Sequence, residues 1–282
     1  MKPIRRIWRV FFLLGLVFSC KSLPAPAPAV HEEIPASRLE FDHIEAETIQ
    51  KISLFFKLVA PNSRTSLLKT EIKNWKAELD GRALGKDAAE LHFENIPGGA
   101  PEIPLRLDID LAKCPLEPEE LDVRLTVNVD YHFSKDRSSP GTVSAGAVFP
   151  RIREPVFTIT SIAILQAELI NTRFRVNLRI DNPNFFPVDL SSFGYELYGE
   201  GRFWAGGEER DVLHIPAKSS DETKLFLLMN FIDMKRNLLD EVVAMNLVRY
   251  RFRGEVLVGT GVEYLPAFDM AFDKSGMSEV FK

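Results

Sequence analysis

The residues of this chain with the means to do chemistry are its five histidines, its two cysteines and its many carboxylates. His31, His43, His92, His132 and His214 are scattered, and none has a second histidine at the spacing a metal site needs. There is no G-x-S-x-G elbow, no H-E-x-x-H pair and no phosphate loop. The glycines of 254–261 lack the following lysine and helix that would cradle a phosphate, so that stretch reads as a strand and its turn. Asp108, Asp110 and the acids of 117–120 are the carboxylates that could be paired for proton transfer. Nothing in the sequence places them in a cleft, and they read as surface acids, as His132 reads as a solvated residue. No catalytic residue, metal ligand or cofactor site is assigned, and the chain is expected not to be an enzyme.

Two other groups invite a binding role. Phe203 and Trp204 lie between Gly199-Glu200-Gly201 and Gly206-Gly207, which predicts a loop between strands. There they either close one end of a sandwich or, if exposed, form a contact site, since tryptophan is enriched at binding hot spots. Asn182-Pro183-Asn184 closes an alternating run. Proline cannot donate to a ladder, so the strand must stop there, and asparagine side chains satisfy nearby backbone groups. The reading is a structural turn, after which Phe186 and Val188 re-enter the core. The alternative is a ligand site built on the two amides.

The elements that would position these residues are strands. Phe174, Val176, Leu178 and Ile180 alternate with polar residues, and Leu121 to Phe133 keep the same period of two. Tyr250, Phe252, Gly254, Val256 and Val258 continue it. Half-buried antiparallel strands with turns between them imply an all-β sandwich. One helix is expected near 233–245, capped by Asp233, with Leu238, Leu239, Val242, Val243 and Met245 on one face. Blocks recur in order at an offset near 120 residues: 39–44 with 157–162, 52–62 with 174–184, and Ile96-Pro97 with Ile215-Pro216. A tandem duplication accounts for them, giving domains at 36–150 and 151–282. In the first copy, prolines at 115 and 118 argue against a matching helix.

The N-terminus predicts a destination. Lys2, Arg5, Arg6 and Arg9 precede a nine-residue apolar run, 10–18, which is too short to span a bilayer and has the layout of a secretory signal. Ser19-Cys20 after it resembles the lipobox of bacterial lipoproteins, although Phe18 replaces the usual small residue. This resemblance implies that Cys20, at the end of the signal segment 1–20, is acylated and becomes the mature N-terminus after cleavage just before it, anchoring the chain to a bacterial membrane, the outer one in a diderm. Residues 21–35 carry Pro24, Pro26, Pro28 and Pro35 and read as a semi-rigid stalk reaching roughly 45 Å if extended. Without the four signal cations the formal charge falls from −5 to −9. That sign excludes a nucleic-acid footprint and argues against electrostatic adhesion to an anionic bilayer. Cys114 has no partner other than Cys20, and a structural role is expected.

Residues 181–184, 186–188, 195–197, 206–207 and 215–220 together resemble the late embryogenesis abundant group 2 family, whose module is called the WHy domain. The resemblance spans most of 155–262. Ala60-Pro61-Asn62 and 75–79 make the first half a degenerate copy. It implies two tandem Ig/fibronectin-III-like sandwiches, the second with a short helix, and an association with water stress and desiccation. Two functions are then expected in competition. One is an envelope scaffold that binds protein partners; the other is a carrier of an apolar ligand such as lipid.

Overall fold

The computed structural model describes residues 37–60, 67–93, 102–114, 118–135, 137–168, 172–229, 244 and 246–281. Period-two burial generates strands almost throughout. In the first half these are β1 Arg38–Thr48, β2 Lys51–Val59, β3 Lys69–Leu79, β4 Arg82–Ala83, β5 Ala89–Phe93, β6 Glu102–Asp110, β7 Glu120–Ser134 and β8 Arg137–Pro150. The second half holds β9 Val156–Gln166, β10 Thr172–Asp181, β11 Val188–Gly199, β12 Arg202–Glu209, β13 Leu213–Ile215, β14 Ser220–Met229, β15 Leu247–Val262 and β16 Leu265–Phe281. The fold is an all-β sandwich. Along β7 every second residue from Leu121 to Phe133 is buried, as its alternation requires.

Strand order repeats. The first half has sheets β1-β2-β6-β5 and β4-β3-β7-β8, and the second has β12-β11-β15-β16-β9-β10-β14. Shifting the first set by eight strands reproduces β9-β10-β14 and β12-β11-β15-β16. Among the described residues, β1–β8 pair only with one another, and so do β9–β16. Two differences stand out. β5 pairs with β6, whereas its counterpart β13 pairs with β11. In the second half Val280 and Phe281 pair in parallel with Ile162 and Ala163, fusing the two layers into one sheet.

The hairpin turns repeat as well. Asp80-Gly81 and Glu200-Gly201 each form a two-residue turn with positive φ at both positions (49° and 74°, 48° and 77°). That is the type I′ geometry whose twist suits a hairpin. Where the first copy was expected to lack a helix, Leu111–Lys113 form one 3-10 turn capped by Asp110, whose carboxylate accepts from the Ala112 N–H (3.1 Å). The helix expected near 233–245 lies outside the described residues apart from Ala244, as do residues 1–36 and Ile96-Pro97.

The core of β9–β16 is aromatic. Phe193 on β11 is fully enclosed and lies 5.4 Å from the Phe157 ring on β9, 5.5 Å from Tyr195 and 5.5 Å from Phe272 on β16. Phe252 of β15 completes the cluster, 5.1 Å from Phe272. These contacts tie one layer to the other, and each ring pair adds about 0.5–1.5 kcal/mol beyond area burial. Gly254 sits where a Cβ would strike the Gly194 carbonyl and the Phe272 ring, so the chain crosses there only as glycine. Phe193→Ala is expected to lower unfolding free energy by about 3–5 kcal/mol in denaturant titration; a change below about 1 kcal/mol would mean that the two layers do not depend on this ring.

Candidate functional site

Two constellations come together in the second half. The first is a clamp built from Asn182 and Asn184, both buried. β10 ends at Asp181 because Pro183 has no N–H to continue the ladder. The Asn182 side-chain amide donates to the carbonyls of Phe186 (2.9 Å), Pro216 (3.0 Å) and Ile215 (3.2 Å). Its oxygen accepts from the backbone N–H and the side-chain amide of Asn184 (2.9 and 3.0 Å). Asn184 then imitates a strand neighbour: its oxygen accepts from the Arg153 N–H and its amide donates to the Arg153 carbonyl, both at 2.8 Å.

Through Arg153 the clamp reaches the first half. The Arg153 guanidinium donates to the Pro118 carbonyl (3.2 Å), and the Arg151 N–H donates to the Glu119 carbonyl (2.9 Å). Lys218, held at positive φ with its N–H on the Asn184 carbonyl (2.9 Å), pairs its ammonium with Glu119 and places it 4.2 Å from the Phe185 ring centre. Tyr264 donates to the Pro150 carbonyl (2.6 Å) and meets Phe149 edge-on; burial pushes its phenol far up. Among the described residues, every hydrogen bond from the two asparagine side chains goes to backbone or to each other. The arrangement fixes the connector between halves and leaves no amide pointing at a ligand.

The second constellation is the outer face of β12-β11-β15-β16. Phe203 and Trp204 lie on β12 itself and not in a loop, because the two-residue turn at Glu200-Gly201 reverses the chain at once. Leu197 pairs with Ala205 and Tyr198 with Phe203, so Trp204 is the extra residue of a bulge. The bulge turns Trp204 inward (3% exposed), stacked 5.5 Å from Phe174 and lying where a Cβ on Gly199 would be. Phe203 faces out at 46% exposure, edge-on to Tyr198 at 5.5 Å. The adjacent pair thus splits into one anchor and one presented ring.

Beside Phe203 runs an ordered polar surface. Tyr198 and Arg253 both donate to Glu196 (2.9 and 2.6 Å), and the Arg253 guanidinium sits 5.0 Å from the Tyr198 ring centre. Arg251 grips Asp273 with two nitrogens. Arg253 holds the Glu196 carboxyl below its ordinary range, and Arg251 does the same for Asp273. Glu196, Arg253, Glu255 and Asp273 wall an open groove of about 630 Å³ floored by Gly194 and Ala271. Such exposed pairs contribute little stability, typically ~0–1 kcal/mol each. Their effect is to hold long side chains in place around a shallow depression.

The remaining candidates stay apart. His43 lies 2.9 Å from Asp42 and stacks flat on Phe55; His92 lies 3.0 Å from Asp108, His132 3.4 Å from Glu71 and His214 2.7 Å from Asp189. Each described histidine therefore has its own carboxylate, on separate strands. Partial burial pushes the Asp108 carboxyl up, but the Ser53 hydroxyl (2.6 Å) and the Arg106 guanidinium (2.7 Å) outweigh it and keep it ionised. Cys114 is buried, its thiol is pushed up by desolvation, and its Sγ lies 3.5 Å from the Asp110 carbonyl. Cys20 lies outside the described residues.

Residues 177–267 match the family model LEA_2, described as late embryogenesis abundant protein, which supports an LEA_2 domain over β10–β15. That stretch contains Asn182, Asn184, Phe203, Glu196 and Arg253, while Arg153, Ala271 and Asp273 lie outside it. A comparison with curated proteins returns no match. Among solved structures the chain is similar to a protein from Archaeoglobus fulgidus (12% identity, TM-score 0.28, covering 45% of this chain and 95% of that one). It is also similar to red sea bream transglutaminase (9%, 0.29, 88% and 32%) and to Bacteroides uniformis beta-glucuronidase (9%, 0.26, 80% and 26%). The chain spans about a third of the former enzyme and about a quarter of the latter. Likenesses this low carry no argument.

Asn182→Ala removes the donor to three carbonyls and the acceptor for Asn184. Calorimetric or denaturant unfolding is expected to lose about 2–4 kcal/mol, more than one ordinary hydrogen bond supplies. A loss within 0–1 kcal/mol, as at an exposed site, would refute the clamp.

Proposed function

We propose that the chain is a lipid-anchored, two-module protein of a bacterial envelope that protects or holds other molecules through its surfaces. The LEA_2 match suggests a stress-related, non-enzymatic role. The repeated strand order and repeated type I′ turns support modules at 36–150 and 151–282, the second a group 2, WHy-type sandwich. The signal-like leader and Ser19-Cys20 support export and acylation at Cys20, with residues 21–35 as a stalk.

The observation that carries the reading is the division between interior and surface in the second module. Its interior is filled by Phe157, Phe193, Tyr195, Phe252 and Phe272 in mutual contact, which favours a surface function over a carrier with lipid between the sheets. Its outer face presents Phe203 beside the groove and the Glu196–Arg253 pair. An aromatic ring fixed next to charged groups is the composition of a binding hot spot.

The purified protein is expected to preserve the activity of a drying-sensitive reporter enzyme better than an equal mass of an unrelated acidic protein. Phe203→Ala should remove most of that gain with the unfolding midpoint unchanged, since the ring is largely outside the core. Equal protection by the control protein would overturn the proposal. Trp204 is unsuited to this test, because its loss empties the core.

For the anchor, Cys20→Ser is expected to move the expressed protein from the membrane fraction to the soluble fraction and to abolish incorporation of labelled palmitate. Unchanged palmitate labelling would refute acylation at that residue.

A further inference from the structure

A second surface of the same module has a different composition. On β14 the inward residues are Leu225, Leu227 and Met229, and the outward Phe226 and Leu228 are 67% and 58% exposed. Phe226 lies opposite Arg175 of β10, and Arg175 opposite Ala163 of β9; Ala163 in turn pairs with Phe281 of β16, 51% exposed. Leu228 lies opposite Arg173, and Lys224 opposite Asn177. One continuous face therefore carries two exposed phenylalanines and a leucine around two guanidiniums, with a lysine one step along the strand.

What sets this face apart is the pairing of exposed rings with cations that no acid among the described residues neutralises. Several cations on sheet faces sit on acids, Lys57 on Asp42, Arg106 on Asp108, Arg251 on Asp273 and Arg253 on Glu196, while others such as Arg124 and Arg249 stand singly among the described residues, away from exposed rings. Arg173, Arg175 and Lys224 have no acidic partner among the described residues, and the buried Nε of Arg175 has no hydrogen-bond acceptor. Glu168, bonded by the Gln166 that lies opposite Arg173, and Glu222 and Glu279 on the neighbouring strands border the face without an ion pair to these three cations.

Exposed rings with unneutralised cations among them complement one surface in particular. At an anionic bilayer, rings enter the boundary between head groups and acyl chains, while basic side chains reach the phosphates. Arginine suits this role because its stem lies along apolar surface while its head stays polar. A protein partner would need to supply acids and an apolar cleft together. We propose that the face formed by Phe226, Leu228 and Phe281 around Arg173 and Arg175 seats on the head groups of an anionic phospholipid bilayer. The overall negative charge argues against adhesion by the whole chain, and this face is a local exception to it. The contact goes beyond the anchor at Cys20 and does not require it.

The test uses the full chain carrying Cys20→Ser and Phe226→Cys, with an environment-sensitive fluorophore on residue 226; Cys114 is enclosed and escapes labelling under native conditions. The probe is titrated with vesicles of pure phosphatidylcholine and with vesicles containing phosphatidylglycerol. Both offer the same hydrocarbon to the apolar run 10–18, and because Lys2, Arg5, Arg6 and Arg9 also favour anionic lipid, the part of the difference that Arg173→Gln/Arg175→Gln removes is what reads the face. The expected result is a blue shift with shielding from aqueous iodide, half-saturating at a roughly tenfold lower concentration of anionic vesicles. Added salt should erase that preference, and Arg173→Gln/Arg175→Gln should remove most of the blue shift and iodide shielding at residue 226; an unchanged probe response in the double variant overturns the proposal. A probe that stays open to iodide on both vesicles overturns the proposal, and so does an equal response to both. A blue shift without vesicles that grows with protein concentration overturns it in favour of a second copy.

Discussion

Proline at 183 imposes the constraint around which the second half is arranged. It cuts the ladder of β10 at a point where the chain is still buried, and buried carbonyls and N–H groups must find partners. The side chains of Asn182 and Asn184 take the place of the missing strand neighbour. In doing so they hold three separate segments: the 215–219 loop, the turn at 186, and the connector at Arg153. Since Arg151 and Arg153 are bonded to Glu119 and Pro118, the same knot sets where β1–β8 stand against β9–β16. The motif thus has a mechanical role between halves as well as a local one.

Inside the sandwich the dominant force is burial of aromatic area, and outside it the charges mainly arrange side chains. Exposed pairs such as Arg251–Asp273 are screened by water and salt and do little for stability. They do determine which parts of the surface are neutralised and which are not. The face bearing Phe203 carries the Glu196–Arg253 and Arg251–Asp273 pairs around a groove, whereas Arg173 and Arg175 on the face bearing Phe226 have no acidic partner among the described residues. Two faces of one module are therefore chemically distinct although both lie on regular sheet.

Much of this was legible in the sequence. The alternation in 121–133 and 174–180 foretold β7 and β10, because a period of two has one structural meaning when one face is buried. The Asn-Pro-Asn break was legible for the same reason: proline's missing donor is a property of the residue. What could not be read was how far the clamp reaches, since Arg153 and Asn184 are separated by 31 positions and meet only in the fold. The loop expected around Phe203 was wrong because the flanking glycines suggested a slack connection, where Glu200-Gly201 makes the tightest hairpin available. Asp80-Gly81, at an offset of 120 residues, is the signal that would have corrected it. The bulge that sends Trp204 inward and Phe203 outward breaks the period of two, and no pattern argument predicts such a break. The cationic character of the Phe226 face was hidden by net charge, which sums over the whole chain what strand pairing gathers locally.

Cys114 has a consequence for the covalent life of the molecule. Both disulfide exchange and peroxide oxidation begin from the thiolate, and desolvation disfavours that form here while the neighbouring strands bar access to the sulfur. A thiol kept in this condition is chemically silent. At this position the folded chain can meet an oxidant without being linked to a neighbour through the sulfur and without needing a reductant to keep it free.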